Sequence, residues 1–222
     1  MTISCGALAR EPSPGAEAAL RIPSDGGGFE ERHYSVWRSD AAKGTLDVCV
    51  VLHGLGAGSR WAARCRAGDE LELSLPRALP IALDDSAREH VFLGDETSIA
   101  SADALMRALP AGAPRLACFE LGSGDRRWPD AELADPAAVR WLACGARPGA
   151  ALLAWLESAE LPPPSETTAY VTGEAWLCAV VQSSLVRERR FSPRSVRAFP
   201  YWKRRPSAAV RGSEADPPRT GS

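Results

Sequence analysis

From about residue 90 to residue 202 the chain alternates short apolar runs with stretches of helical spacing. That alternation restricts the possible folds more than any other feature. HVFLGDETS (90–98) leads into IASADALMRALP (99–110), and RLACFEL (115–121) is followed by AVRWLACG (138–145) and GAALLAWLESAEL (149–161). TTAYVTGEA (167–175) precedes WLCAVVQSSLVRER (176–189), and SVRAFPYW (195–202) closes the series. Strands alternating with helices predict a parallel sheet covered on both faces.

The preceding stretch has a different rhythm. ALRIPS (19–24), HYSVWR (33–38), TLDVCVVLH (45–53) and DELELSL (69–75) read as short strands separated by Gly- and Pro-rich turns. They predict a small antiparallel barrel or sandwich. The fold class is therefore β followed by α/β: residues 1–17 a loose arm, 18–84 the β unit, 85–205 the α/β unit, and 206–222 a disordered tail. No internal repeat is visible.

Composition narrows the function classes. Apolar content of 45% and charged content of 24% are those of a globular chain. No window approaches the roughly 18–20 apolar residues of a membrane span. The N-terminus lacks the basic start and apolar core of a secretion signal, so a cytoplasmic location is expected. The six cysteines are scattered without a C-x-x-C pair, which predicts no metal site. Net charge is only −2, but RERRFSPRSVRAFPYWKRR (187–205) sets a run of cations against the single acid Glu188. Such a segment suits an anionic partner or is a solvated basic terminus. Nothing points to nucleic acid, and a monomer is expected.

Three loops are candidates for binding. HGLGAGSRWA (53–62) offers close backbone approach, with Ser59 as an N-cap for a following helix, a place that favours phosphate. It has neither the P-loop lysine nor the dinucleotide fingerprint, and a flexible connector fits it as well. LGDETS (93–98) and VTGEA (171–175) end expected parallel strands, where open α/β sheets bind ligands. Their acids suit ribose hydroxyls, or are helix caps. In RHYSVW (32–37), Arg32 and Tyr34 share one strand face while Ser35 shares the other with His33 and Trp37. That face fits a ligand with an anionic end and a ring, or an edge strand's solvated Arg beside a core Tyr. No hydrolytic triad is present: three histidines are available and there is no G-x-S-x-G elbow.

Taken in order, R-x-Y-S, H-G-x-G-x-x-S-R-W-A, G-D-E-T, G-E-A and Y-W-K resemble the siderophore-interacting proteins, flavin-dependent ferric-siderophore reductases of ferredoxin-reductase-like fold. The likeness runs from about Ala19 to Arg205. It implies a Greek-key β-barrel that binds FAD, then a Rossmann-like unit that binds NADPH or NADH, with a ferric siderophore as substrate. It implies FAD contacts from Arg32, Tyr34, Ser35, His53, Gly54, Ser59, Trp61, Asp95, Thr97, Tyr201 and Trp202. NAD(P)H would be lined by Gly94, Glu96, Gly173 and Glu174, and the siderophore would meet Lys203 and Arg204. The chemistry belongs to the cofactor, so no catalytic acid or base is implied.

Two departures stand out. The family places several barrel strands before R-x-Y-S, whereas here 31 residues precede Arg32, so an incomplete barrel with open edges is expected. FPYW (199–202) has Pro200 where a glycine is usual. Two further readings stay open: a non-catalytic paralogue that binds a siderophore or nucleotide, and a flavin reductase with no iron substrate.

Overall fold

Ala18, Leu20 and Ile22 alternate along one strand, and all three side chains are fully buried on the same face. This strand is β2 (Glu17–Pro23), which pairs antiparallel with β3 (Phe29–Asp40) through a glycine-rich hairpin. The computed structural model describes residues 1–5, 11–24, 26–53, 56–75, 81–122, 132–145 and 147–204. Gly54, Arg205 and the tail 206–222 therefore lie outside the described residues.

Strand β3 is long enough to serve two neighbours. Its first half pairs with β2, and its second half pairs with β4 (Thr45–Val48) beyond an irregularity between Val36 and Arg38. With β1 (Thr2–Ser4) and β5 (Glu72–Ser74), the sheet order is β1-β4-β3-β2-β5, a half-barrel. Ile3, Leu20, Ile22, Leu46 and Val48 fill it, and α1 (Gly56–Ala62) packs Ala57 and Trp61 against that core.

Three expectations change here. The loose arm contains β1, whose Thr2–Ser4 pair with Thr45–Asp47. The strand expected over 45–53 stops at Val48, and residues 49–53 are irregular. Ser59 lies inside α1 rather than capping it, because the helix already starts at Gly56.

The second half of the chain is as expected. Strands β6 (Glu89–Asp95), β7 (Arg115–Leu121), β8 (Val139–Ala143), β9 (Thr167–Glu174) and β10 (Val196–Trp202) form a parallel sheet in the order β10-β9-β6-β7-β8. Both faces are covered. Phe92, Phe119 and Tyr170 pack against α2 (Ile99–Ala108), while Val91, Leu93, Ala169 and Val171 pack against α3 (Ala150–Ser158) and α4 (Ala175–Arg187). Burying each such Leu or Phe contributes about 1.5–3 kcal/mol. Pro200 sits on β10, an edge strand that tolerates a residue without an N–H.

A polar knot joins the connecting segment to the base of this sheet. Tyr170 Oη accepts from the Asp84 N–H at 2.9 Å and lies 3.2 Å from His90 Nδ1. The Asp84 carboxylate accepts from Ser86 Oγ and Thr168 Oγ1 and pairs with Arg197 at 3.0 Å. The Ser86 hydrogen bond, with help from Thr168 and Arg197, holds the Asp84 carboxyl down at about 2. A depressed carboxylate adds stability above its unfolded pKa, near 3.9, and loses it as pH falls through the folded value. Acid unfolding between about pH 4 and 2 is thus expected to be shallower in Asp84→Asn than in the parent. Circular dichroism against pH measures it.

Candidate functional site at the junction of the two sheets

The expected site residues fall into three groups. The first lies on the half-barrel. Tyr34 is half-buried, with its hydroxyl so close to Gly58 of α1 that any Cβ there would overlap it. Arg32 runs past the same glycine and pairs with Glu30 at 2.6 Å. R-x-Y-S and the glycine-rich loop, distant in sequence, are therefore in contact. Ser59 is buried in α1, Trp61 is half-buried, and His53 is exposed.

The second group lies between the sheets. Strand alternation turns Ser35 and Trp37 away from Tyr34 and toward α2. Trp37 Nε1 donates to Asp103 of α2 at 2.7 Å. Asp103 is fully buried and also accepts from Ala134 N at 2.6 Å and Arg107 Nε at 2.8 Å. Next to this bridge, the Tyr201 hydroxyl is buried beside the hydroxyls of Ser35, Ser101 and Thr172. It makes no hydrogen bond of good geometry to any of them. Burial pushes its phenol above the ordinary range. Four hydroxyls thus converge at one buried point between the sheets.

The third group is at the carboxyl ends of the strands. The sheet order reverses around β6, and the G-D-E-T and G-E-A loops leave the adjacent strands β6 and β9. Asp95, buried, ties them together. One carboxylate oxygen accepts from the backbone N–H and hydroxyl of Thr97. The other accepts from Glu174 N at 2.8 Å and Trp202 Nε1 at 3.0 Å. Burial pushes the Asp95 carboxyl up while these bonds pull it down. Glu174 caps α4 through the N–H groups of Trp176 and Leu177 and accepts from the Arg204 backbone.

The geometry thus brings Gly94, Asp95, Thr97, Gly173, Glu174, Trp202 and Arg204 together. Glu96 is half-buried beside them, and Lys203 is exposed on the strand's continuation. Arg204 lies over the Trp202 ring at 5.7 Å. Of the two readings of Asp95 and Glu174, ribose contact or helix cap, the structure shows the caps: both carboxylates accept from backbone N–H groups of their own chain. Sequence reasoning passed over Asp103 and Ser101. Asp103 falls on the apolar face of IASADALMRALP, and a lone acid on a buried face was the available signal.

An antiparallel half-barrel is thus joined to a five-stranded parallel sheet, with the hydroxyls of Ser35, Ser101, Thr172 and Tyr201 gathered at the junction and the Arg32 cation and Tyr34 ring on the half-barrel beside α1. Residues 87–205 match the siderophore-interacting protein family, and residues 11–79 match the siderophore-interacting FAD-binding domain. The chain belongs to the siderophore-interacting protein family.

Among curated proteins, ferric vibriobactin reductase ViuB of Vibrio cholerae is 27% identical over 176 residues, covering 78% of this chain and 64% of ViuB. The chain thus spans under two thirds of that relative's length. Among solved structures, a siderophore utilization protein from T. fusca matches with a TM-score of 0.74 at 25% identity, over 91% of this chain and 85% of that one. The siderophore-interacting protein SipS from Aeromonas hydrophila matches with 0.71 at 23%, over 86% of each chain. No helix among the described residues is long and apolar enough to cross a membrane.

Proposed function

We propose that this chain is an FAD-dependent reductase of ferric siderophores that takes electrons from NADH or NADPH, with FAD held by residues 18–84 and the donor by residues 85–205. The observation that carries the reading is the buried Tyr201 hydroxyl gathered with those of Ser35, Ser101 and Thr172, where the half-barrel meets the parallel sheet. The residues present fit a flavin. Arg32 supplies a cation for its phosphates, Tyr34 a ring held in place by Gly58, and Ser35 and Tyr201 hydroxyls for its polar edge. FAD, when bound, supplies the hydride-accepting and one-electron chemistry.

The chain's own work is to position and to exclude water. Arg32 exchanges its pairing with Glu30 for a phosphate, which demands little because both groups are partly solvated. The Trp37–Asp103 bond fixes β3 against α2, so Ser35 and Tyr201 keep a set separation. Lys203 and Arg204 raise the local concentration of an anionic ferric chelate. Loss of the hard, oxygen-bound ferric state then favours release of iron.

The visible spectrum of the purified chain tests the reading. A flavin band that stays after removal of excess FAD and bleaches under NAD(P)H, with faster reoxidation by a ferric siderophore, is expected. A chain that cannot retain FAD overturns it. Lys203→Glu is expected to lower kcat/KM for an anionic siderophore roughly 3- to 10-fold and leave flavin reduction unchanged. Unaltered ferric-chelate kinetics would remove Lys203 from the substrate site.

A further inference from the structure

We propose that the electron donor is recognised by its dihydronicotinamide end alone, and that the carboxyl edge of the parallel sheet gives no berth to the diphosphate of a pyridine dinucleotide. The inference rests on the reductase reading above and concerns how that site takes its donor.

In an open α/β sheet a dinucleotide's diphosphate lies against a helix start near the point where strand order reverses. It is held there by free backbone N–H groups and the helix dipole, and glycines let it approach. This chain has the right topology and the glycines, yet both resources are already occupied. Three buried carboxylates, one from the end of each of β6, β7 and β9, sit on the helix starts. Asp95 takes the Thr97 N–H at 2.9 Å at the turn into α2. Glu120 takes the N–H groups of Gly149 at 2.6 Å and Leu152 at 2.9 Å at the start of α3. Glu174 takes those of Trp176 and Leu177 at the start of α4. These side chains are 7%, 3% and 8% exposed, so none is a surface group that a phosphate could push aside.

The glycines give the second, independent observation. A Cβ at Gly94 would overlap Ser98 Oγ and the Thr172 carbonyl. A Cβ at Gly173 would lie 2.6 Å from an Asp95 carboxylate oxygen. The space each glycine leaves is filled by the chain's own polar groups. An approaching diphosphate therefore meets carboxylate oxygens where a dinucleotide fold presents N–H donors, and like charges repel. Among the described residues, the cations near this edge are exposed, whereas the carboxylates are buried on the helix starts. Lys203 and Arg204 are exposed on the continuation of β10, and Arg147 is exposed ahead of α3. Among the described residues, what remains for recognition is the junction itself, where a small planar ring can reach the hydroxyls of Ser35, Ser101, Thr172 and Tyr201.

The test compares donors on the chain saturated with FAD, under anaerobic stopped flow. NADH, NADPH and reduced nicotinamide mononucleotide are expected to reduce the bound flavin with kcat/KM values within about fivefold of one another. Calorimetric titration of the same FAD-saturated chain with ADP-ribose is expected to show no binding tighter than about 1 mM. A dinucleotide advantage of about 100-fold over the mononucleotide, or saturable ADP-ribose binding in the micromolar range, would overturn the proposal. If dithionite reduces the flavin but no dihydronicotinamide does, the donor part of the reductase reading fails. The ADP-ribose titration then still decides whether the edge refuses a diphosphate.

Discussion

Replacing Asp103 with alanine is expected to destabilise the chain by about 3 kcal/mol, lowering Tm by roughly 10 °C. Asp103 is fully buried on α2 and accepts from Trp37, Ala134 and Arg107. Removing it strands two N–H groups and leaves a guanidinium without its carboxylate, the situation that makes broken buried networks expensive. Trp37→Phe, which removes one donor and keeps most of the ring, is expected to lower stability by about 1 kcal/mol. Thermal unfolding measures both. Equal effects from the two variants would mean that Asp103 serves only Trp37. The Asp103 variant should also weaken FAD retention, because β3 carries Arg32, Tyr34 and Ser35 and is fixed against α2 by this bond.

The second large effect is expected at Gly173. Its φ of +115° lies where side chains are strained, and a Cβ there would press on the Asp95 carboxylate. Gly173→Ala is expected to destabilise by about 3 kcal/mol, combining backbone strain with overpacking. The displaced Asp95 would release Glu174 N and Trp202 Nε1 together, so Trp202 fluorescence should shift toward that of a solvated indole. A variant with wild-type Tm and unchanged fluorescence would show that Asp95 has room to move.

Much of the fold is legible in the sequence. Residues 90–202 declare a parallel sheet because apolar strands of about seven residues alternate with amphipathic stretches, and each element appears within a few residues of its expected bounds. The half-barrel was harder. TLDVCVVLH is rich in β-branched residues through Val51, yet only Thr45–Val48 pair. Strand β1 was missed because three residues give no alternation to read.

The motifs are legible in the sequence, but their contacts are not. R-x-Y-S lies on β3, where the opposite facing of Tyr34 and Ser35 assigns them to different neighbours. G-D-E-T and G-E-A stand out through their acids, whose helix-cap reading is local, whereas their burial depends on where the neighbouring strand ends. That is tertiary information. The acid of RLACFEL was visible throughout, but only the fold shows that Glu120 belongs with Asp95 and Glu174.

The half-barrel's outermost strands, β1 and β5, are each three residues long. So short a border gives another chain little backbone to zip onto, which keeps the sheet from templating aggregates. The same brevity sets the order in which the molecule comes apart. Hydrogen exchange should reach Thr2–Ser4 and Glu72–Ser74 first and the fully buried β9 last, so the antiparallel sheet frays while the parallel sheet still holds.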